Sequence, residues 1–296
     1  MRTELKQFIN NSTLMDMNHM ANLQLNSFEI HACKEKKILV SIARNNLHLL
    51  KSNSESRNYN EMFRFLNEIE KWDCIFNYDS LGGLLYFVWR FVITHNLYTK
   101  LLDTTERLEA LTTEQSQIIF TNFVMNLTKE GNQQNEMCLY ITENKNFSNC
   151  KIVITLLFRE ALNVIEKELG QNKDYWKYGY IHRIILKHIV FGLNSNSSVA
   201  LLKLIYNREI PCSGSYATVK KTGLTGERYA REYSAIRIIA DMSDYSKTWF
   251  SISPGQSSNI FSVNYDDLLM DHEKGQYFQI GENKETYLIV FQKLFK

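Results

Sequence analysis

A chain of 296 residues, 44% apolar and 12% aromatic, is long enough to bury a sizeable core in one large or two ordinary domains. Its net charge of +2 argues against a dedicated nucleic-acid surface, which would need lysine and arginine in clustered excess. The five cysteines are scattered with no Cys-x-x-Cys pair, so neither a zinc site nor a disulfide framework is implied, although Cys138 and Cys150 would pair if a hairpin lay between them.

The first residues lack the apolar stretch of a signal peptide, and localisation stays unassigned. The spacings Thr13 to Asp16 and Asn26 to Glu29 have the form of helix N-terminal capping patterns. Leu39, Ile42, Ala43, Leu47 and Leu50 follow at helical spacing, and Met62, Phe65, Leu66, Ile69 and Trp72 make a second stripe. Leu84, Leu85, Val88, Phe91 and Val92 make a third, apolar nearly all round, which predicts a buried helix. The apolar run from Leu81 to Ile93 is too short to span a bilayer and contains Arg90, so no membrane span is expected. A fourth stripe, Phe158 to Leu169, stops at Gly170, a candidate C-cap.

Near residue 194 the pattern changes from helical to alternating. Ile236, Ile238, Ala240 and Met242 share one face of an expected strand. Thr248, Phe250 and Ile252 repeat the alternation before a turn at Pro254-Gly255, and Tyr287 to Phe291 reads as a last buried strand. The expected class is α+β, with a mainly helical region over 1–193 and a β-rich region over 194–296.

The sharpest motif runs from Arg237-Ile-Ile-Ala-Asp241 through Ser253-Pro-Gly-Gln-Ser-Ser-Asn259 and Ser262-Val-Asn-Tyr-Asp-Asp267 to Gly275-Gln-Tyr277. Upstream stand Asp16-Met17, Leu23-Gln24, Trp72-Asp73, Leu85-Tyr86 with Trp89, Leu169-Gly170, then Trp176, Gly179, His182 and His188, and finally Ser213 to Val219. In this order and spacing the chain resembles the C-terminal half of the large subunit of penicillin acylases, which are N-terminal-nucleophile amide hydrolases. Three positions depart from that pattern: Asn264 stands for a His, His272 for a Trp and Ser258 for a Gly.

The resemblance implies part of an αββα sandwich, the two regions together making one incomplete acylase domain. It implies hydrolysis of linear amide bonds in acylated small molecules, in families often periplasmic or secreted. The nucleophile of such enzymes is a Ser, Thr or Cys whose own α-amine is the base, with an Asn side chain in the oxyanion hole. The resemblance places both upstream of the Asp16-Met17 helix. The expectation is therefore no catalytic, cofactor or metal residue here, a truncated or split enzyme, and a partner chain that carries the nucleophile. The alternative is a non-catalytic, acylase-derived binding or interaction protein.

Other candidates have plainer readings. A catalytic reading pairs His182 and His188 with Asp174; packing of a helix-to-sheet junction fits these residues better. Arg237 and Asp241 on one strand would sit about 13 Å apart and bond neighbouring backbone. Gln256, Ser257 and Asn259 form either a ligand contact or, as preferred, a turn held by its own side chains.

Overall fold

The computed structural model describes Lys6 and residues 15–50, 59–98, 114–128, 149–188, 190–192, 200–224 and 229–279. Among these, the chain begins with helices α1 (Met17–Gln24), α2 (Ile30–Asn46), α3 (Tyr59–Lys71), α4 (Leu81–Tyr98), α5 (Glu114–Asn126) and α6 (Cys150–Leu169). A short helix α7 (Tyr178–Ile181) leads into strand β1 (Arg183–Leu186). Then come α8 (Ala200–Tyr206), β2 (Arg208–Pro211), β3 (Gly223–Leu224), β4 (Tyr229–Glu232), β5 (Ile236–Ile239), β6 (Trp249–Ile252), α9 (Leu269–Lys274) and β7 (Phe278–Gln279). The fold is mixed α+β, mainly helical first, with small sheets later. Strand β1 precedes residue 194 and helix α8 follows it, so the change of character is interleaved rather than sharp.

The helical stripes fold as their spacing dictates. Met62, Phe65, Leu66 and Ile69 of α3 are buried, as are Leu39, Ile42 and Ala43 of α2. Helix α4 is the hub: it packs on α3 and α6, and Trp89 lies 4.7 Å from Phe158 of α6 between ring centroids. Its turns are not uniformly buried. Phe91 is 39% exposed, whereas the neighbouring Arg90 points inward and is nearly buried. Gly170 ends α6 at φ 79° as expected, its N–H bonding Glu166 O.

The capping patterns shift by a helix register. Asp16 itself is the N-cap of α1, its carboxylate accepting from His19 N at 2.8 Å while His19 reaches back; Thr13 lies outside the described residues. Glu29, not Asn26, is the N-cap of α2, and its side chain makes no cap bond. Asn26 instead folds a local turn, Oδ1 accepting from Phe28 N.

Against the sequence expectation, the structure contains a disulfide, Cys33–Cys74, which ties α2 to the segment after α3. Backbone bonds Glu29 N to Cys74 O and Phe76 N to Ser27 O reinforce the same junction. Cys150 is also disulfide-bonded, while Cys138 lies outside the described residues. Cys212 is a buried free thiol.

Two sheets follow. The first has the order β2-β1-β4-β3, with β1 antiparallel to β2 and parallel to β4. The second is β5-β6-β7, antiparallel throughout, with Ile236 opposite Ile252 and Ile238 opposite Phe250. Its alternation is as expected, and the face that Ile236 and Ile238 share is the outward one. Ile236 and Ile238 are 60% and 58% exposed and Met242 is 74% exposed, while Arg237 and Ile239 are buried. The expected Tyr287 to Phe291 strand lies outside the described residues.

Candidate functional site

Among the described residues four groups of buried polar side chains stand out, and of their paired members the sequence had raised only His182 as a catalytic candidate. The first joins the helical core to the β region. The Glu29 carboxylate receives Arg90 Nη1 at 2.9 Å on one oxygen and the Ser215 hydroxyl on the other. Glu35, fully buried, accepts from the hydroxyls of Tyr86 and Thr121. Burial opposes the Arg90 charge, but the Glu35 and Glu29 carboxylates outweigh it and fix the guanidinium as a cation. Burial first, and Glu35 next, push the Tyr86 hydroxyl well above its ordinary range, so it stays protonated and donates. This cluster explains why Glu29 leaves its own helix uncapped.

The second group is Lys220 with Glu273, 2.5 Å apart and both buried, with Ser213 N donating to the same carboxylate oxygen at 2.9 Å. The loop that presents Lys220 turns on Gly214, whose φ is +98°. A Cβ there would stand 2.2 Å from Lys220 O, so no other residue fits.

The third group pairs Cys212 Sγ with His182 Nδ1 at 2.9 Å; the fourth pairs Ser251 Oγ with His272 Nδ1 at 2.8 Å. Each has the contact distance of a nucleophile and its base. Neither is accessible: Cys212, His182, Ser251 and His272 are each at most 1% exposed. Burial pushes the Cys212 thiol well up and lowers both imidazoles to about 4, so at neutral pH the members are a thiol and two neutral rings. His272 Nε2 faces Ser234 O at 2.6 Å, which makes it the protonated nitrogen and leaves Nδ1 to accept from Ser251.

The residues singled out by sequence do not converge. His182 sits at the junction of α7 and β1, stacked on Tyr178 at 4.6 Å, in the packing role expected of it. His188 instead folds its own loop, Nδ1 accepting from Val190 N and Phe191 N, and Asp174 is exposed on a separate turn. Arg237 bonds the His272 carbonyl, and Asp241 receives the Ser243 N–H and hydroxyl, backbone-directed roles in both cases.

The Pro254-Gly255 segment is self-supporting. Gln256 N and Ser257 N both donate to Asn264 O, Ser257 Oγ accepts from Asn259 N, and Asn259 Oδ1 accepts from Phe261 N. A Cβ at Gly255 would meet Asn264 O at 2.4 Å.

A cleft of about 460 Å3 opens beside β5, lined by Lys220, Lys221 and Arg237 with Gln24, Tyr233 and Ile238 among others. Gln24 closes one side, its amide donating to Ile238 O and its carbonyl accepting from Tyr277 OH. Among the described residues no three His, Cys, Asp or Glu side chains stand close enough to hold a metal. No helix among them is long and apolar enough to cross a membrane.

The motif that runs from Arg237 to Tyr277 thus builds a braced corner, and its order along the chain agrees with a wider match: the penicillin amidase family model covers residues 2–287. The chain belongs to the penicillin amidase family. No curated protein matches it.

Membership gives the departures noted in the sequence a structural reading. His272, in place of the Trp of the acylase pattern, ties Ser251 of β6 to Ser234 and presents its carbonyl to Arg237. Asn264, in place of a His, uses its backbone carbonyl to hold the Gln256-Ser257 turn. The penicillin amidase motifs in this chain are therefore mostly bracing contacts between helix, turn and sheet.

Proposed function

We propose that this chain is the C-terminal portion of a penicillin-acylase-like amidohydrolase, cleaving linear amide bonds of acylated small molecules with a nucleophile supplied from outside these 296 residues. Family membership over residues 2–287 supports the amide chemistry. The observation that carries the division of labour is the sealing of both nucleophile–histidine pairs, Cys212 with His182 and Ser251 with His272. A general base must reach a proton in the presence of substrate, and these two face only protein. The proposed partner is a chain or segment that carries an N-terminal Ser, Thr or Cys. The Cys33–Cys74 bridge supports an oxidising compartment for the protein.

The test is an amidase assay on a panel of acylated amines. The isolated chain is expected to be inactive, and addition of an acylase segment bearing the nucleophile to restore turnover. Hydrolysis by the chain alone, abolished by Ser251→Ala or Cys212→Ala, would overturn the reading. A second reading, a non-catalytic binding protein, is favoured by the basic cleft at Lys220 and Arg237. It requires a monomeric isolated chain that binds ligand without turning it over, with or without the added segment.

A further inference from the structure

We propose that the Cys33–Cys74 bridge is a redox-operated clasp: a dithiol that reduces it releases the 213–220 loop from the helical core. Among the described residues Cys74 is the one non-glycine with a left-handed backbone, at φ 67°. A residue that carries a Cβ seldom holds that conformation, and it persists where the surroundings over-determine it. Three ties hold it here. They are the bridge to Cys33 in the first turn of α2, the Cys74 carbonyl accepting from Glu29 N at 3.0 Å, and the pairing of Ile75 with Phe28. The backbone on both sides of the bridge is also the seat of the 213–220 loop. Phe76 O accepts from Gly214 N at 2.8 Å, Ser213 Oγ from Tyr78 N at 3.1 Å, and Asn26 O from Lys220 N at 2.9 Å, while the Glu29 carboxylate holds the Ser215 hydroxyl.

Cys33 is half-buried and Cys74 is enclosed, so the reductant meets Cys33 first. One thiolate of the dithiol attacks Cys33 Sγ, the S–S bond breaks, and Cys74 leaves as a thiolate that takes up a proton. The second thiol of the reductant then displaces Cys33 from the mixed disulfide. Two electrons have passed to the two cysteines, and the dithiol has become a cyclic disulfide. Freed of the crosslink, Cys74 turns out of the left-handed region, and its carbonyl turns away from Glu29 N. The clasp therefore opens at the backbone on which the loop is seated. That loop carries Lys220, which lines the cleft beside β5, so the state of the bridge reaches the cleft. The proposal does not depend on the amide-hydrolysis reading.

The test compares amide hydrogen exchange in the full chain, its Cys33→Ser variant and the double variant Cys33→Ser, Cys74→Gly. Both variants lack the bridge and keep the disulfide of Cys150. They differ at residue 74, where glycine holds the left-handed backbone without steric cost. In Cys33→Ser the amides of Glu29, Gly214 and Lys220 are expected to exchange at least about tenfold faster than in the parent, relative to those of α6. The added Cys74→Gly should restore most of that protection. Excess dithiothreitol should accelerate the same three amides in the parent and add little at them in Cys33→Ser. If Cys33→Ser does not fold, the parent in dithiothreitol decides, with alkylation and mass spectrometry showing which bridge is open. Equal exchange at the three amides in the two variants, acceleration that is uniform over α6 and the loop, or a Cys33–Cys74 bridge that stays closed in the folded chain under excess dithiothreitol would each overturn the assignment.

Discussion

Glu29 and Arg90 meet at 2.9 Å inside the helical core, one at the head of α2 and the other in the middle of α4. The pair is shared: Arg90 also lies 3.8 Å from Glu35, and Glu29 also holds Ser215 of the β region. Two carboxylates and one guanidinium therefore bind helices α2, α4 and α5 to the loop that carries Ser215.

Removal of the cation should be far more harmful than its surface-like residue type suggests. Arg90→Met leaves Glu29 and Glu35 buried without a counter-charge, and a broken buried pair of this kind costs about 3–5 kcal/mol. The double variant Arg90→Met, Glu29→Gln removes one stranded charge and should recover part of the loss. Urea denaturation of the three proteins checks this; equal stability of the single variant and the parent would contradict the role given to the pair.

The Cys33–Cys74 bridge closes a loop with a sequence separation of 41 residues. A crosslink of that span restricts the unfolded chain by about 4 kcal/mol in the loop-entropy account. Cys74→Ser is expected to lower the melting temperature, and dithiothreitol should lower that of the parent by more than that of the variant, which keeps the disulfide of Cys150. A parent indifferent to reductant would argue against the bridge as a stabilising element.

Acid should weaken the protein through its two buried imidazoles. Burial lowers His182 and His272 from 6.5 to about 4. Between those values the unfolded chain binds protons that the folded chain refuses, so stability falls as pH drops from 6.5 toward 4 and is insensitive to these groups above 6.5. Full expression of the His182 shift corresponds to roughly 3 kcal/mol. Denaturation midpoints at pH 7.5, 5.5 and 4.5 test the sign, and His182→Gln, a neutral replacement, should flatten the profile.

Much of the helical half was legible because a helix of period 3.6 advertises its buried face by spacing alone: Met62, Phe65, Leu66 and Ile69 point where the pattern says. The buried polar clusters were not legible. Glu29 and Ser215 are 186 positions apart, and nothing in either residue's neighbourhood encodes the other. Glu35 and Arg90 look like solvated side chains in the sequence, yet each is enclosed because a partner from another helix satisfies it. The disulfide was invisible for the same reason, since Cys33 and Cys74 carry no spacing motif. At β5 the alternation was legible but its direction was not. Period-2 alternation marks two faces but does not say which is inside, and an arginine can be the inward residue when a carbonyl such as that of His272 receives it.

That orientation of β5 makes a prediction that runs against residue type. Ile238 and Ile239 are adjacent and chemically identical, but Ile238 is 58% exposed and Ile239 is 5% exposed. Ile239→Ala removes buried methyl groups and should cost about 2–5 kcal/mol. Ile238→Thr keeps a β-branched residue on the outward face and should change stability by no more than about 0.5 kcal/mol. Denaturant midpoints for the two variants settle the orientation of the strand. A large cost at Ile238 with a small one at Ile239 would mean that in solution a further layer covers the outward face. A complementing acylase segment is one candidate for such a layer, and its addition should then protect Ile238 and raise the cost of Ile238→Thr. The same pair of variants therefore reports on the strand alone and, with the segment present, on whether the apolar face of β5 is where that segment rests.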